Sequence, residues 1–133
     1  MDDPKWIDIE LALAIHNRQL AEHGGQDGVR DMGLLESALG RPRHTFGYTD
    51  PTPTIPVLAA AYAFGIARNH PFLDGNKRTA AVVCETFIEL NGMTLAADDV
   101  AMCTQFLGLA AGDVSEVELA AWLTEYTKPA QPD

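Results

Sequence analysis

Residues 55–69 read IPVLAAAYAFGIARN, and a second apolar run, TAAVVCETFIEL, occupies 79–90. In the first run apolar side chains fall on nearly every side of a 3.6-residue period, a pattern that only a helix enclosed by other elements tolerates. Thr54 stands where it can cap that helix, and Pro56 lies in its first turn, where a missing N–H costs nothing. The spacing predicts a buried central helix over 55–69. The second run predicts another core helix, ended by Asn91-Gly92, a pair suited to a left-handed C-cap.

The flanking segments read as helices that would cover these two. Asp8 can cap a helix from Ile9 to His23, stopped by Gly24-Gly25, and Asp31 a short one through Leu39, closed by Gly40 and Pro42. Asp98 opens a helix ending near Gly112. Ser115 to Glu118 is a capping box that starts a last helix, running to about Thr127 before Pro129. Between Arg43 and Pro56 the chain is rich in Thr, Pro and Gly, so it predicts an exposed loop or flap with room for a small hairpin. No repeat or linker divides the chain. The expectation is one all-α domain of about six helices over 1–133, its core within about 6–127 and its tail, 128–133, frayed.

The chain has 133 residues, 47% of them hydrophobic, enough apolar material for one core. Its formal net charge of −10 disfavours nucleic acid as a direct partner, since phosphate backbones are bound through Lys and Arg, and equally disfavours an anionic membrane surface. The opening MDDPKWIDIE lacks the basic and apolar regions of a signal peptide, and no run of about 18 apolar residues occurs, so a cytoplasmic protein is expected. Cys84 and Cys103 lie in apolar helical stretches without metal-ligand spacing and predict buried free thiols.

The charge is unevenly spread. Residues 1–40 hold three basic against eight acidic residues and 79–133 one against nine, whereas 41–78 hold Arg41, Arg43, Arg68, Lys77 and Arg78 against Asp50 and Asp74. A cationic island in an acidic chain predicts a local anion site. Its end falls on the joint of the two core helices, Arg68-Asn69-His70-Pro71-Phe72-Leu73-Asp74-Gly75-Asn76-Lys77-Arg78-Thr79. Gly75 and Asn76 precede a helix, whose first N–H groups and positive dipole end favour a phosphate, and Gly75 admits a ligand close to the backbone. Lys77 and Arg78 in that first turn oppose the dipole unless an anion is present. Asp74 is a lone carboxylate suited to hold Mg2+ against phosphate oxygens. His70 supplies a side chain able to take a proton near neutral pH, and Phe72 reads as an apolar plug. Each residue alone has an ordinary structural reading; their joint occurrence asks for chemistry.

His70 to Arg78, HPFLDGNKR, resembles the signature of the Fic/Doc family, His-x-Phe-x-(Asp/Glu)-(Gly/Ala)-Asn-x-Arg. The GGQDGVRDMGLLESALGRPR stretch at 24–43 and FIELNG at 87–92 look like the death-on-curing (Doc) toxins of bacterial toxin–antitoxin modules, so the likeness covers about residues 6–125. The resemblance implies the all-helical Fic fold and transfer of a phosphate-containing group from a nucleotide to a protein hydroxyl. It implies His70 as general base, Asp74 as Mg2+ ligand, Gly75, Asn76, Lys77 and Arg78 as the residues around the ATP phosphates, and Arg68 as a further arginine reaching the transferred phosphate. Lys77 matches Doc, where adenylylating relatives carry Gly; that implies a kinase, moving the γ-phosphate to a threonine or serine of a translation factor such as elongation factor Tu and so inhibiting translation. Pro71 and Gly75 look more like the adenylylating branch, which leaves AMP transfer as an alternative, beside a catalytically inactive, antitoxin-binding regulatory module. The family's target-docking flap would fall at 43–56. An inhibitory (Ser/Thr)-x-x-x-Glu-(Gly/Asn) motif is absent from the sequence, implying inhibition in trans by a Phd-like antitoxin.

Overall fold

The computed structural model describes residues 3–130. Among them are six helices: α1 (Ile9–His23), α2 (Met32–Tyr48), α3 (Ile55–Asn69), α4 (Asn76–Leu90), α5 (Asp99–Ala111) and α6 (Glu116–Tyr126). Two short strands, β1 (Met93–Leu95) and β2 (Thr127–Pro129), pair antiparallel with Thr94 opposite Lys128. The fold is all-α, as the periodicity predicts.

Five helix starts are set by local chemistry. The side chains of Asp8, Asp31, Thr54, Asp98 and Ser115 each accept the N–H three residues on, and such a cap is worth about 0.5–2 kcal/mol. Ser115 and Glu118 complete the reciprocal capping box.

Helix α3 is the centre. Every residue from Leu58 to Ala63 is fully buried, because α2, α4 and α6 pack around it. Helices α2 and α3 approach closely at Gly65, where a Cβ would stand 3.1 Å from the Cα of Ala38. The buried Tyr62 hydroxyl is satisfied by the N–H of Ile7 at 2.9 Å, and burial pushes its pKa up. Trp6 packs between Phe46 at 5.6 Å and Phe87 at 5.9 Å, which ties the segment before α1 to α2 and α4.

Three expectations are corrected. Helix α2 does not stop at Leu39 but runs to Tyr48, through Gly40, the buried Pro42 and Gly47. Proline inside a helix removes a hydrogen bond, but here the turn beyond it is held by tertiary contacts: Phe46 on Trp6, and the Arg43 guanidinium 5.5 Å from the Trp6 ring. The non-helical part of the predicted 43–56 flap shrinks to residues 49–54. Second, the short antiparallel pair lies between β1 and β2 rather than in that flap, so Lys128 and Pro129 are paired rather than frayed; 131–133 lie outside the described residues. Third, Cys84 is buried but Cys103 is exposed. Helix α5 buries only Phe106 and Leu109, so its apolar composition is spread over faces that do not all meet the core.

Candidate active site

The polar joint is the turn between α3 and α4. His70 caps α3 in the left-handed region, φ 48 and ψ 55, the one non-glycine residue with positive φ among those described. For a residue with a Cβ this conformation is sparsely populated and persists where surroundings impose it. Two residues on, Phe72 drops into the core at 1% exposure, its ring stacked on the buried His16 at 3.8 Å and 7° between planes. Asn76 brackets it: the Phe72 N–H donates to Asn76 Oδ1 and Asn76 Nδ2 donates to the Phe72 carbonyl, both at 3.0 Å. The Asn76 side chain is therefore turned inward to close the loop. Its remaining contact, Nδ2 to His70 Nδ1 at 3.5 Å, is too long to hold the ring firmly.

Residues 24–31 lie along this turn as a strap. Gly28 O accepts the Leu73 N–H at 3.0 Å, Pro71 O accepts the N–H groups of Arg30 and Asp31, and Val29 pairs with Phe72 in an antiparallel bridge. The Arg30 guanidinium reaches the carbonyls of Asn69 and His70. Gln26 N–H donates to Asp74 Oδ2 at 3.1 Å. Gly25, at φ +128, permits that approach, since a Cβ there would stand 2.9 Å from the same oxygen.

Helix α4 opens differently from the other five. Its N-cap is Gly75 in the left-handed region at φ 77, with no side chain accepting from the first turn. The Asn76, Lys77 and Arg78 N–H groups thus have no acceptor among the described residues, and they carry the positive end of the helix dipole. Lys77 and Arg78 are exposed, and among the described residues neither has a carboxylate within ion-pair distance. They face a cleft of about 640 Å³ that also holds His70, Asp74 and Gly75 and is walled opposite by Met102, Phe106 and Leu107 of α5, with Cys103 beside them. One polar, cationic wall and one apolar wall suit a ligand with an anionic end and a flat apolar body.

Asp74 is held on both oxygens, by Gln26 N–H and by its neighbour Gly75 N–H at 2.9 Å. These bonds, with Arg78 and His16 nearby, keep its carboxyl below the ordinary value of 3.8. A carboxyl lowered in the folded state contributes stability that is complete above the ordinary value and lost as the pH falls through the lower folded one. The Gln26 tether is therefore expected to persist through mild acid and release only below 3.8. An acid titration of the Gln26 amide shift checks this, and release already near about pH 5 would contradict it.

The structure brings His70, Asp74, Gly75, Asn76, Lys77 and Arg78 together but places Arg68 elsewhere. Arg68 lines a separate pocket of about 470 Å³ between α2 and α3, with Arg41 and His44, its guanidinium 5.4 Å from the Phe64 ring. Arg41 lies over the same ring and pairs with Glu116. The cationic island is thus divided, and only its Lys77 and Arg78 share the cleft with His70.

The sequence model of the Fic/DOC family matches residues 6–88, the stretch that forms α1 to α4 with the strap and the turn. The chain belongs to the Fic/DOC family. It is 41% identical over 110 residues to Toxin Doc of Mycolicibacterium smegmatis, covering 81% of this chain and 85% of that protein. It is 32% identical over 116 residues to Protein kinase doc of Escherichia phage P1, covering 87% of this chain and 90% of that one. The Fic/DOC match ends before α5, so the apolar wall of the cleft lies outside it. No local sequence pattern points to Arg30, Gln26 or His16 as parts of this turn. The glycines at 24, 25 and 28 were the available signal, since three in five residues mark a chain that must pass close to something. Among the described residues no helix is long and apolar enough to cross a membrane.

Proposed function

We propose that this chain is the toxin of a type II toxin–antitoxin pair, a protein kinase that moves the γ-phosphate of ATP to a Ser or Thr hydroxyl of a translation factor resembling elongation factor Tu. The observation that carries this reading is the uncapped start of α4 with Lys77 and Arg78, in one cleft with His70. The likeness to proteins named Toxin Doc and Protein kinase doc supports it. In the proposed reaction His70 accepts the hydroxyl proton as the oxygen attacks the γ-phosphorus; the new O–P bond forms as the bond to the β-phosphate oxygen breaks, and ADP leaves. The open N–H groups of residues 76–78 and the two cations stabilise charge on the phosphates, in keeping with catalysis by positioning and electrostatics. Met102, Phe106 and Leu107 supply the apolar wall along which the base and ribose would lie.

The tethered Asp74 carboxylate keeps lone pairs free on both oxygens, which fits a Mg2+ ion bound by one carboxylate and by phosphates. When bound, that ion neutralises phosphate charge. The antitoxin acts in trans, as a Phd-like partner in the same cytoplasm.

Incubation with γ-labelled and, separately, α-labelled ATP and candidate translation factors tests the reading. Label retained from the γ position alone supports the kinase, and label from the α position alone replaces it with AMP transfer, toward which Pro71 and Gly75 point. Nucleotide binding is also expected to slow alkylation of Cys103, the exposed thiol in the cleft, by about tenfold, while Cys84, buried and with its pKa pushed up, stays unreactive. Quantified by mass spectrometry after a maleimide pulse, an unchanged rate at Cys103 with saturating ATP would place the nucleotide elsewhere.

A further inference from the structure

We infer that Arg30 is the positioning residue for His70. It acts through the backbone of the turn and touches neither nucleotide nor target, and the inference rests on His70 being the proton acceptor proposed above. Three observations carry it.

His70 occupies a left-handed conformation that costs a residue with a Cβ roughly 1–2 kcal/mol, so its orientation needs an external hold. The hold does not come from its ring, whose one side-chain hydrogen-bond partner among the described residues is Asn76, at 3.5 Å. Arg30 supplies it from the strap. Its Nε donates to the His70 carbonyl and its terminal nitrogen to the Asn69 carbonyl, each at 2.7 Å. These are charge-assisted bonds from one planar fork to two consecutive carbonyls, made by a cation at the negative end of the α3 dipole. Among the described residues Arg30 has no carboxylate within ion-pair distance, so its charge is committed to those carbonyls. The Arg30 N–H adds a third bond, to Pro71 O at 2.7 Å. Side chain and backbone of one residue thus fix the carbonyls of Asn69, His70 and Pro71.

The consequence for rate follows from lever length. A tilt of roughly 15° in the His70 backbone carries its far ring nitrogen by about 1 Å, and a misplacement of that size is enough to lose about 10²-fold. The helix α4 N–H groups that would hold phosphate are set separately, by Asn76 and Gly75. Loss of the fork should therefore lower kcat and spare nucleotide binding.

The test compares full-length wild type, Arg30→Met, Arg30→Lys and Arg30→Ala, with Ser115→Ala as a variant that loses a cap far along the chain in α6. Expected are a fall in kcat of roughly 30- to 100-fold in Arg30→Met with KM for ATP within about threefold, and a smaller loss in Arg30→Lys. Millimolar guanidinium should restore part of the Arg30→Ala rate, and Ser115→Ala should keep wild-type kcat despite a lower Tm. A kcat for Arg30→Met within twofold of wild type, or losses that track Tm equally in Ser115→Ala, would overturn the inference. Wild type that transfers no label from ATP would overturn the proposed reaction instead. In that event the backbone carbon shifts of Asn69 and His70 decide separately: a change in Arg30→Met supports positioning, and identical shifts refute it.

Discussion

With His70 the proposed proton acceptor, His70→Ala is expected to lose transfer by about 10²–10⁴-fold, the usual share of a positioned general base. The large effect follows from placement: among the described residues lining the cleft His70 is the only imidazole, and Asp74, the only carboxylate, already accepts two backbone N–H groups that keep it a weak base. His70 is exposed, and alanine enters the left-handed region several-fold less readily than histidine, so the loss of stability should stay within about 1 kcal/mol. ATP should still bind, since the open N–H groups belong to α4. Single-turnover transfer from γ-labelled ATP, nucleotide titration and growth on induced expression measure the three parts. A variant that transfers label within a few-fold of wild type, or arrests growth as well, would remove His70 from the chemistry.

Phe72→Ala will give the largest loss of stability, about 3–5 kcal/mol, because it empties a site that is fully enclosed. The ring stacks on His16, and that histidine's Nε2 also reaches the Asp74 carbonyl at 2.8 Å. Removing the ring therefore unseats a residue that braces the turn from α1. Against a total of about 5–15 kcal/mol for a domain, the loss is a large fraction, and it corresponds to roughly 10–20 °C in Tm for a chain of this size. Activity measured well below the new Tm should also fall, since the strap and the Asn76 bracket would hold a turn with nothing beneath it. Phe72→Leu, which fills part of the volume, should fall between. Thermal unfolding followed by circular dichroism decides, and a shift of Phe72→Ala under about 3 °C would mean that the turn repacks without its plug.

What could be read in the sequence was what local chemistry sets. Asp8, Asp31, Thr54, Asp98 and Ser115 mark their helix starts because a cap acts across three residues, and the start of α4 stood out by the glycine at its cap position. The seven-residue run from Asp74 back to Arg68 shows where such reading ends. Residues two apart on a helix do not face each other, so Arg68 looks into the pocket against α2, while His70, one residue beyond the helix, turns into the cleft. Arg30 and Gln26 meet the turn from 40 and 48 residues away, and no local pattern encodes such a meeting. Pro42 misled in the ordinary way: its intrinsic preference against a helix interior is real, but Trp6, far away in sequence, supplies the packing that outweighs it. Cys103 is exposed despite its apolar neighbours, because composition does not tell which side of α5 meets the core.

The extension of α2 changes what recognition at the α2–α3 corner demands. At this corner residues 43–48 are already wound into helix, and only 49–54 join the two elements, with Pro53 buried among them; the length of α3 separates the corner from His70. Fixing a backbone residue costs about 1–2 kcal/mol of conformational entropy, so ordering residues 43–48 at the moment of contact would oppose binding by roughly 6–12 kcal/mol. In this chain that loss is incurred during folding instead. Whatever segment met this corner would meet a surface formed before it arrived.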